Sequence, residues 1–458
     1  MTPAPWIART RGYLLPFWPV VLGVTLALAA AWWLFYTWRA PTFILTPFQG
    51  AVPLAPLYAW FQERGSERTL VPVLILAAAL AAWRLLPARR QVLFLLCAVA
   101  FSIAFRFSVH AIRSDFLPGR EFLFYPGEDV INDVRRVTSV GDFLRGYADL
   151  QPHLSLHGQH QPPGFALIDY GLTLLLGRDV GLIGSALTLV ASLVVLPANC
   201  LGRGLRGRLE DGRACAMLAG ALPGSVAFGA VSMDAVFATL AAVIYAVAVH
   251  EMRRPRLALR CVVGLLLAIG MMLSYSTFVV GLFCALVIVF DRFRRPLACL
   301  AHLAEVLAAF LLPLIALRLC TGFDPLLCFA NAWRINTATL AGIVGHSLGG
   351  AEVWRYASAG NLLAFLITLG PAVVAGWLLL IGHRFAREEG IVAAAFAVVL
   401  AAGVFGGFYL MESERIFLYL ATPAALVAIL PASFRPRTAV ALAGLQAIVM
   451  EVFLDTLW

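Results

Sequence analysis

An adjacent carboxylate pair, Glu128-Asp129, stands in the run Pro-Gly-Glu-Asp, with Asp133 one turn further on. Adjacent like charges raise the pKa of one member, and a cleft at a membrane face adds desolvation. A carboxylate so placed suits general-base work near neutral pH. Asp129 is the first choice for that base and Glu128 the second. The competing reading is a solvated loop pair that caps a helix starting near Val130. Asp133 and Arg136 would then form an i,i+3 pair on that helix. About 30 residues on comes His157-Gly-Gln-His160-Gln161-Pro162-Pro163-Gly164. His157 and His160 are three apart, which suits one helical face and a metal ion. Pro162 argues against a regular helix there, so substrate positioning or a structural turn are the other roles. Asp234, in Ser232-Met-Asp234, either orients a catalytic partner or caps the helix at 235. Arg415, in Glu412-Ser-Glu414-Arg415, either binds a phosphate or snorkels from a span end, paired with its acidic neighbours. Arg355 and Arg334 are candidates of the same kind.

These residues must be positioned by membrane helices. The chain has 458 residues, 61% of them apolar and only 13% charged, with a mean hydropathy of +0.88. That is a polytopic membrane protein. All its basic residues are arginines, so any phosphate contact is made by guanidinium. We predict about 13 spans: 13–36, 69–87, 91–109, 179–200, 214–231, 235–250, 260–274, 276–290, 297–318, 362–382, 391–410, 416–431 and 438–456. The first, behind Arg9 and Arg11, reads as an uncleaved signal-anchor. The organisation follows: N-terminal helices over 1–109, an outer loop over 110–178, a central bundle over 179–318, a second outer loop over 319–361 and C-terminal helices over 362–458.

Short arginine-rich connections fall after alternate spans, near 84–90, 203–213, 253–260, 292–295, 384–387 and 435–437. With Arg9 and Arg11 they hold 20 of the 34 arginines against six acids. The positive-inside rule places them in the cytoplasm. The run 163–177 is short and contains Asp169, so it reads as interfacial or re-entrant, while 179–200 crosses. The stretch 260–290 has arginines at both ends and reads as a tight hairpin with Ser274-Tyr275-Ser276-Thr277 near its outer tip. The remaining polar chemistry then converges on the outer face. A carrier more often keeps its polar residues at mid-membrane. Glu305 and His302 sit one turn apart inside a span but on the cytoplasmic half, and read as a structural contact.

Two features lead away from chemistry. The eight cysteines show no metal-ligand spacing, and Cys320 and Cys328 read as free thiols rather than a disulfide. Gly345-His-Ser347-Leu-Gly349 has the form of a hydrolase nucleophile elbow, but the loop around it is too small for the required sheet. A glycine-rich loop over the site is the reading we adopt.

The order of acidic pair, His/Pro-Pro-Gly motif and weakly apolar helix resembles the GT-C glycosyltransferases, polytopic enzymes that use polyprenyl-phosphate sugars. Within them it looks most like the protein O-mannosyltransferase and lipid A aminoarabinose transferase branch and its bacterial relatives. Pro223 through Ser232-Met-Asp234, Leu273-Ser-Tyr275, Tyr356 to Asn361-Leu362 and Glu414-Arg415-Ile416 resemble further family segments, over roughly residues 120–430. The chain departs from the pattern where Gln161 replaces the histidine before Pro-Pro, and in two extra spans ahead of the acidic loop.

The resemblance implies an all-α polytopic enzyme of the cell inner (plasma) membrane. Its N-terminus is cytoplasmic, and its outer-face loop domain, with interfacial helices, is periplasmic or extracellular. It implies a polyprenyl-phosphate sugar donor, a lipid, glycan or protein acceptor, a loop carboxylate (Asp129 or Glu128) as base, and inversion at the anomeric carbon. His157, His160, Gln161, Asp234, Arg355, Glu414 and Arg415 become the substrate-binding candidates. Some relatives use a divalent metal ion, which His157 and His160 would hold here. Membrane lipids are partners and nucleic acid is not. The competing classes are a carrier or flippase for a polar lipid or solute, and a non-catalytic relative that binds lipid.

Overall fold

The computed structural model describes residues 16–43, 56–57, 59–65, 67–113, 129–229, 232–344, 350–407 and 413–456. Glu128, Glu412 and the glycine run 345–349 lie outside the described residues. The chain opens with α1 (Phe17–Phe43), α2 (Leu70–Leu85) and α3 (Gln91–Arg113). Short pieces follow: a 3-10 turn over Val130–Arg136, then α4 (Val140–Leu150), α5 (Leu156–His160) and α6 (Gly164–Leu176). Next come α7 (Val180–Ser192), α8 (Val195–Arg206), α9 (Leu209–Ala221), α10 (Pro223–Ala227) and α11 (Met233–Arg253). Then follow α12 (Leu257–Leu273), α13 (Thr277–Arg292), α14 (Pro296–Thr321), α15 (Pro325–Val344), α16 (Gly350–Leu369) and α17 (Pro371–Leu378). The chain closes with α18 (Arg387–Phe405), α19 (Ser413–Ile416), α20 (Leu418–Ala428) and α21 (Pro436–Phe453). Strands β1 (Ala59–Phe61) and β2 (Leu454–Thr456) pair antiparallel, Trp60 opposite Asp455.

Eight of the predicted spans are helices long and apolar enough to cross a bilayer: α1, α2, α3, α7 with α8 as one rod, α11, α14, α18 and α21. Helix α14 shows what solvent they meet. Leu297, Leu300, Leu312 and Leu319 stand more than half exposed along it, an apolar surface that suits lipid and not water. The span predicted at 362–382 is α16 and α17, turned through 104° about Gly370, whose φ of +86° favours glycine. The spans predicted at 214–231, 260–274, 276–290 and 416–431 are helices of 11 to 17 residues. Every residue of α20 is buried, because it packs on α11, α17 and α9 inside the bundle. Helices α12 and α13 form the predicted hairpin. Its break lies at Ser274–Ser276, and Arg260 and Arg292 at its two feet both reach Glu251, at 3.1 and 3.8 Å.

The arginine-rich connections gather at one end of the bundle. Arg213 donates to the carbonyls of Leu86 and Pro87 at 2.9 and 3.0 Å, Arg253 to that of Gly204 at 2.8 Å, and Arg206 and Arg387 pair with Glu389 and Asp291 at 2.5 and 2.9 Å. A surface cavity of about 370 Å³ at this end, between Phe17 and Phe434, is remote from every candidate site residue. The short helices α4 to α6 lie at the other end, beside the start of α11 and beside α19. The ribbon is at that end too, tied by Arg113 to Glu451 at 2.9 Å and to Asp455 at 3.6 Å.

Candidate functional site

The His157 turn is held by residues from the two segments before it. Ser155 caps α5 by accepting from the Gly158 amide at 3.1 Å. Its own amide and hydroxyl donate to the two carboxylate oxygens of Asp133, at 2.8 and 2.6 Å. Asp133 therefore turns to Ser155, not to Arg136 as the i,i+3 spacing predicts. Gly158 leaves room for this, since a Cβ there would overlap the Asp133 carboxylate. Tyr147 donates to the carbonyls of Gly158 and Gln161 at 3.2 and 2.8 Å, and Gln151 to that of Gln159 at 3.1 Å. After Pro162-Pro163, Gly164 opens α6 against the backbone of Met272, where no Cβ would fit. Burial keeps the Asp133 carboxyl above its ordinary range despite the two bonds it accepts.

On this frame four separate segments meet. Arg415, on the four-residue α19, forms an ion pair with Asp234, Nε standing 3.1 Å from Oδ2, and donates from Nη2 to His157 Nε2 at 3.2 Å. A guanidinium can only donate, so His157 Nε2 accepts and its ring proton sits on Nδ1. Asp234 is not the cap of α11. Ser232 is, accepting from the Asp234 amide at 3.1 Å while its hydroxyl donates to Asp234 Oδ2 at 3.3 Å, the oxygen that faces Arg415. Ser413 ties α19 to α16 by donating to the Asn361 carbonyl at 3.2 Å.

Asp129 completes the group. It occupies the N-cap position of the 3-10 turn, yet its side chain makes no capping hydrogen bond. It is partly buried, and the surrounding protein desolvates its carboxyl. That desolvation pushes its pKa up to about 6. Asp234 adds to the rise, while Arg415 and the amides of Val130 and Ile131 oppose it. Asp169, buried on α6 with Oδ1 lacking a hydrogen-bond partner, is raised well above its ordinary range by burial, Asp129 and Asp133.

The other predicted residues fall around this group. Glu414 is buried beside Arg415, 1% exposed. Gln161 gives its carbonyl to Tyr147, and its side-chain oxygen is enclosed without a hydrogen-bond partner. His160 turns back on α5, its Nδ1 2.7 Å from the Leu156 carbonyl. Arg355 is exposed on α16, and Arg334 bonds Asn331. The two histidines thus diverge, and a cation faces His157 Nε2. Among the described residues no group of three His, Cys, Asp or Glu side chains could hold a metal ion. The predicted histidine pair does not fit one. Asp133, Tyr147, Ser155 and Ser413 support the site without having been candidates for this; only the spacing of Asp133 from the acidic pair hinted at a role.

Compared with protein-family models, curated sequences and solved structures, the chain matches none.

Proposed function

We propose that this protein is an integral-membrane glycosyltransferase of the GT-C kind. It would move a sugar from a polyprenyl-phosphate donor to an acceptor hydroxyl on the end of the bundle opposite the arginine-rich connections. The observation that carries this reading is the meeting of His157, Asp234 and Arg415 from three distant segments, with the Asp129 carboxyl, raised to about 6, in the field of Arg415 and Asp234. Asp129 takes the proton of the acceptor hydroxyl as that oxygen bonds the anomeric carbon. The bond from carbon to phosphate oxygen breaks, its electron pair leaves on the phosphate, and the centre inverts. Arg415, the cation of the cluster, meets the charge that grows on the phosphate. His157 and Asp234 fix the plane of that guanidinium, which is a positioning role. The positive-inside rule makes the arginine-rich end cytoplasmic and the site periplasmic or extracellular, in a bundle of about 13 crossings that includes its shorter helices.

The test is glycan and lipid profiling of cells carrying Asp129→Asn beside wild type and a deletion. Removing a general base costs about 10²–10⁴ in rate. We expect the variant to lose the same sugar modification as the deletion while its abundance stays normal. A variant that behaves as wild type removes Asp129 from the chemistry. It would favour the carrier or lipid-binding classes, whose support is the charged network of Glu251, Arg260 and Glu305.

A further inference from the structure

Helix α3 carries a second buried guanidinium, and it is held quite differently. Arg106 is 2% exposed, and its Nε and Nη1 have no hydrogen-bond partner among the described residues. One turn away on the same face, Ser102 is fully buried and its hydroxyl also has none. Residues four apart on a helix are neighbours, so these donors lie on one face of α3, the face where Ser102 meets Gly220 near the end of α9. Arg113, two turns on along α3, marks the bundle end where it meets Glu451 and Asp455. Arg106 therefore lies about 10 Å inside that end.

An arginine does not give up its proton, and a buried ion without a counter-charge is costly. A water molecule would satisfy the donors but leave the charge. We infer that Arg106 and Ser102 form an anion site within the bundle that takes a phosphate-class oxyanion, separate from Arg415. Guanidinium and hydroxyl donors match the oxygens of a phosphate, the commonest anionic group at a membrane surface. It reaches the site either as a lipid headgroup or as free phosphate. This inference does not rest on the glycosyltransferase reading.

The test is thermal unfolding of the delipidated full chain in phosphate-free maltoside micelles, with inorganic phosphate, with a polyprenyl phosphate, or with chloride at matched ionic strength. Without phosphate, R106M should unfold at the same temperature as wild type or higher, because it removes an uncompensated charge. Phosphate should raise the midpoint of wild type and of R415Q, and, compared within the R415Q background so that Arg415 contributes nothing, its apparent affinity should fall about ten-fold or more when R106M is added. A shift with the lipid alone identifies the headgroup as the source, and a shift with both probes shows that the phosphate group suffices. No shift in wild type or in R415Q overturns the site, as does a shift left undiminished when R106M is added to R415Q, or earlier unfolding of R106M without phosphate. Should R106M not fold, R106K in the same background decides: it keeps the charge but loses the fork, so a weakened shift supports the site and an unchanged one overturns it.

Discussion

Arg213 and Arg415 are buried guanidiniums at opposite ends of one bundle. Arg213 spends its donors on a fixed frame: the carbonyls of Leu86 and Pro87 and the side chain of Gln91, at 2.9 to 3.0 Å, with the Phe94 ring 4.7 Å from its carbon. Its longest contact, to the exposed carboxylate of Glu210 at 3.4 Å, is the one that can change charge. Arg415 meets side chains alone in its two described contacts, a carboxylate and a neutral imidazole, with Asp129 as a third group within its field. Carboxyls outnumber the cation there, since Asp129 lies in the field of Asp234 and Asp169 in that of Asp129. Buried arginine by itself therefore says little about function. A guanidinium bound to backbone is a staple, whereas one that balances several titratable groups can respond when a substrate brings another charge.

The sharpest way to break this comparison is to remove each cation in turn. Arg415→Gln should lower sugar transfer by about 10²–10³, the scale of a lost transition-state charge contact, with little change in abundance. Arg213→Gln should leave the chemistry intact and cost about 3 kcal/mol of stability, because buried carbonyls lose their donor. Product profiling and thermal unfolding of both variants read the two effects. Inactive Arg213→Gln at normal abundance would erase the distinction between staple and site.

A smaller effect sharpens the electrostatics. Asp129 works as a base when ionised, so activity should fall as the pH drops through about 6. Arg415 holds that pKa down and Asp234 holds it up. The acid limb should therefore move to higher pH in the residual activity of Arg415→Gln, and to lower pH in Asp234→Asn, each by about one unit. Limbs that move together, or not at all, would mean that Asp129 does not sit between the two charges.

The two ends were unequally legible in sequence. The arginine-rich end followed from alternation of charge between apolar runs, a one-dimensional signal that membrane insertion imposes. The hairpin over 260–290 and the short helix after Pro163 followed from run length. Helices α9 and α20 are shorter than the spans read over them, at 13 and 11 residues, and are buried within the bundle; apolar residues look the same in sequence whether they face lipid or protein. At the site, Asp129, His157, Asp234 and Arg415 were candidates by residue type, but no spacing linked 157 to 415 or 234 to 415. For Asp234 the residue type left capping of α11 and orientation of a partner both open; Ser232, two places earlier, is the cap, and the Asp234 carboxylate faces Arg415. Arg106 escaped notice because one arginine near a span end reads as an ordinary snorkelling side chain.

The smallest predicted effect concerns the frame beneath the site. Asp133 uses both carboxylate oxygens on Ser155, one on its amide and one on its hydroxyl. Asparagine offers one acceptor oxygen and an NH₂ group, so in Asp133→Asn one of those donors is left facing a donor. Leaving one buried polar group unsatisfied costs about 1–3 kcal/mol. That cost falls on the turn carrying His157, and Tyr147 and Gln151 still hold the turn from its other side. Hydrogen exchange should therefore quicken over 155–161 and stay unchanged at α20, with only a modest drop in sugar transfer. Exchange that quickens throughout the bundle would make Asp133 a residue of the global core. Loss of transfer as deep as in Asp129→Asn, with exchange unchanged, would move it into the chemistry.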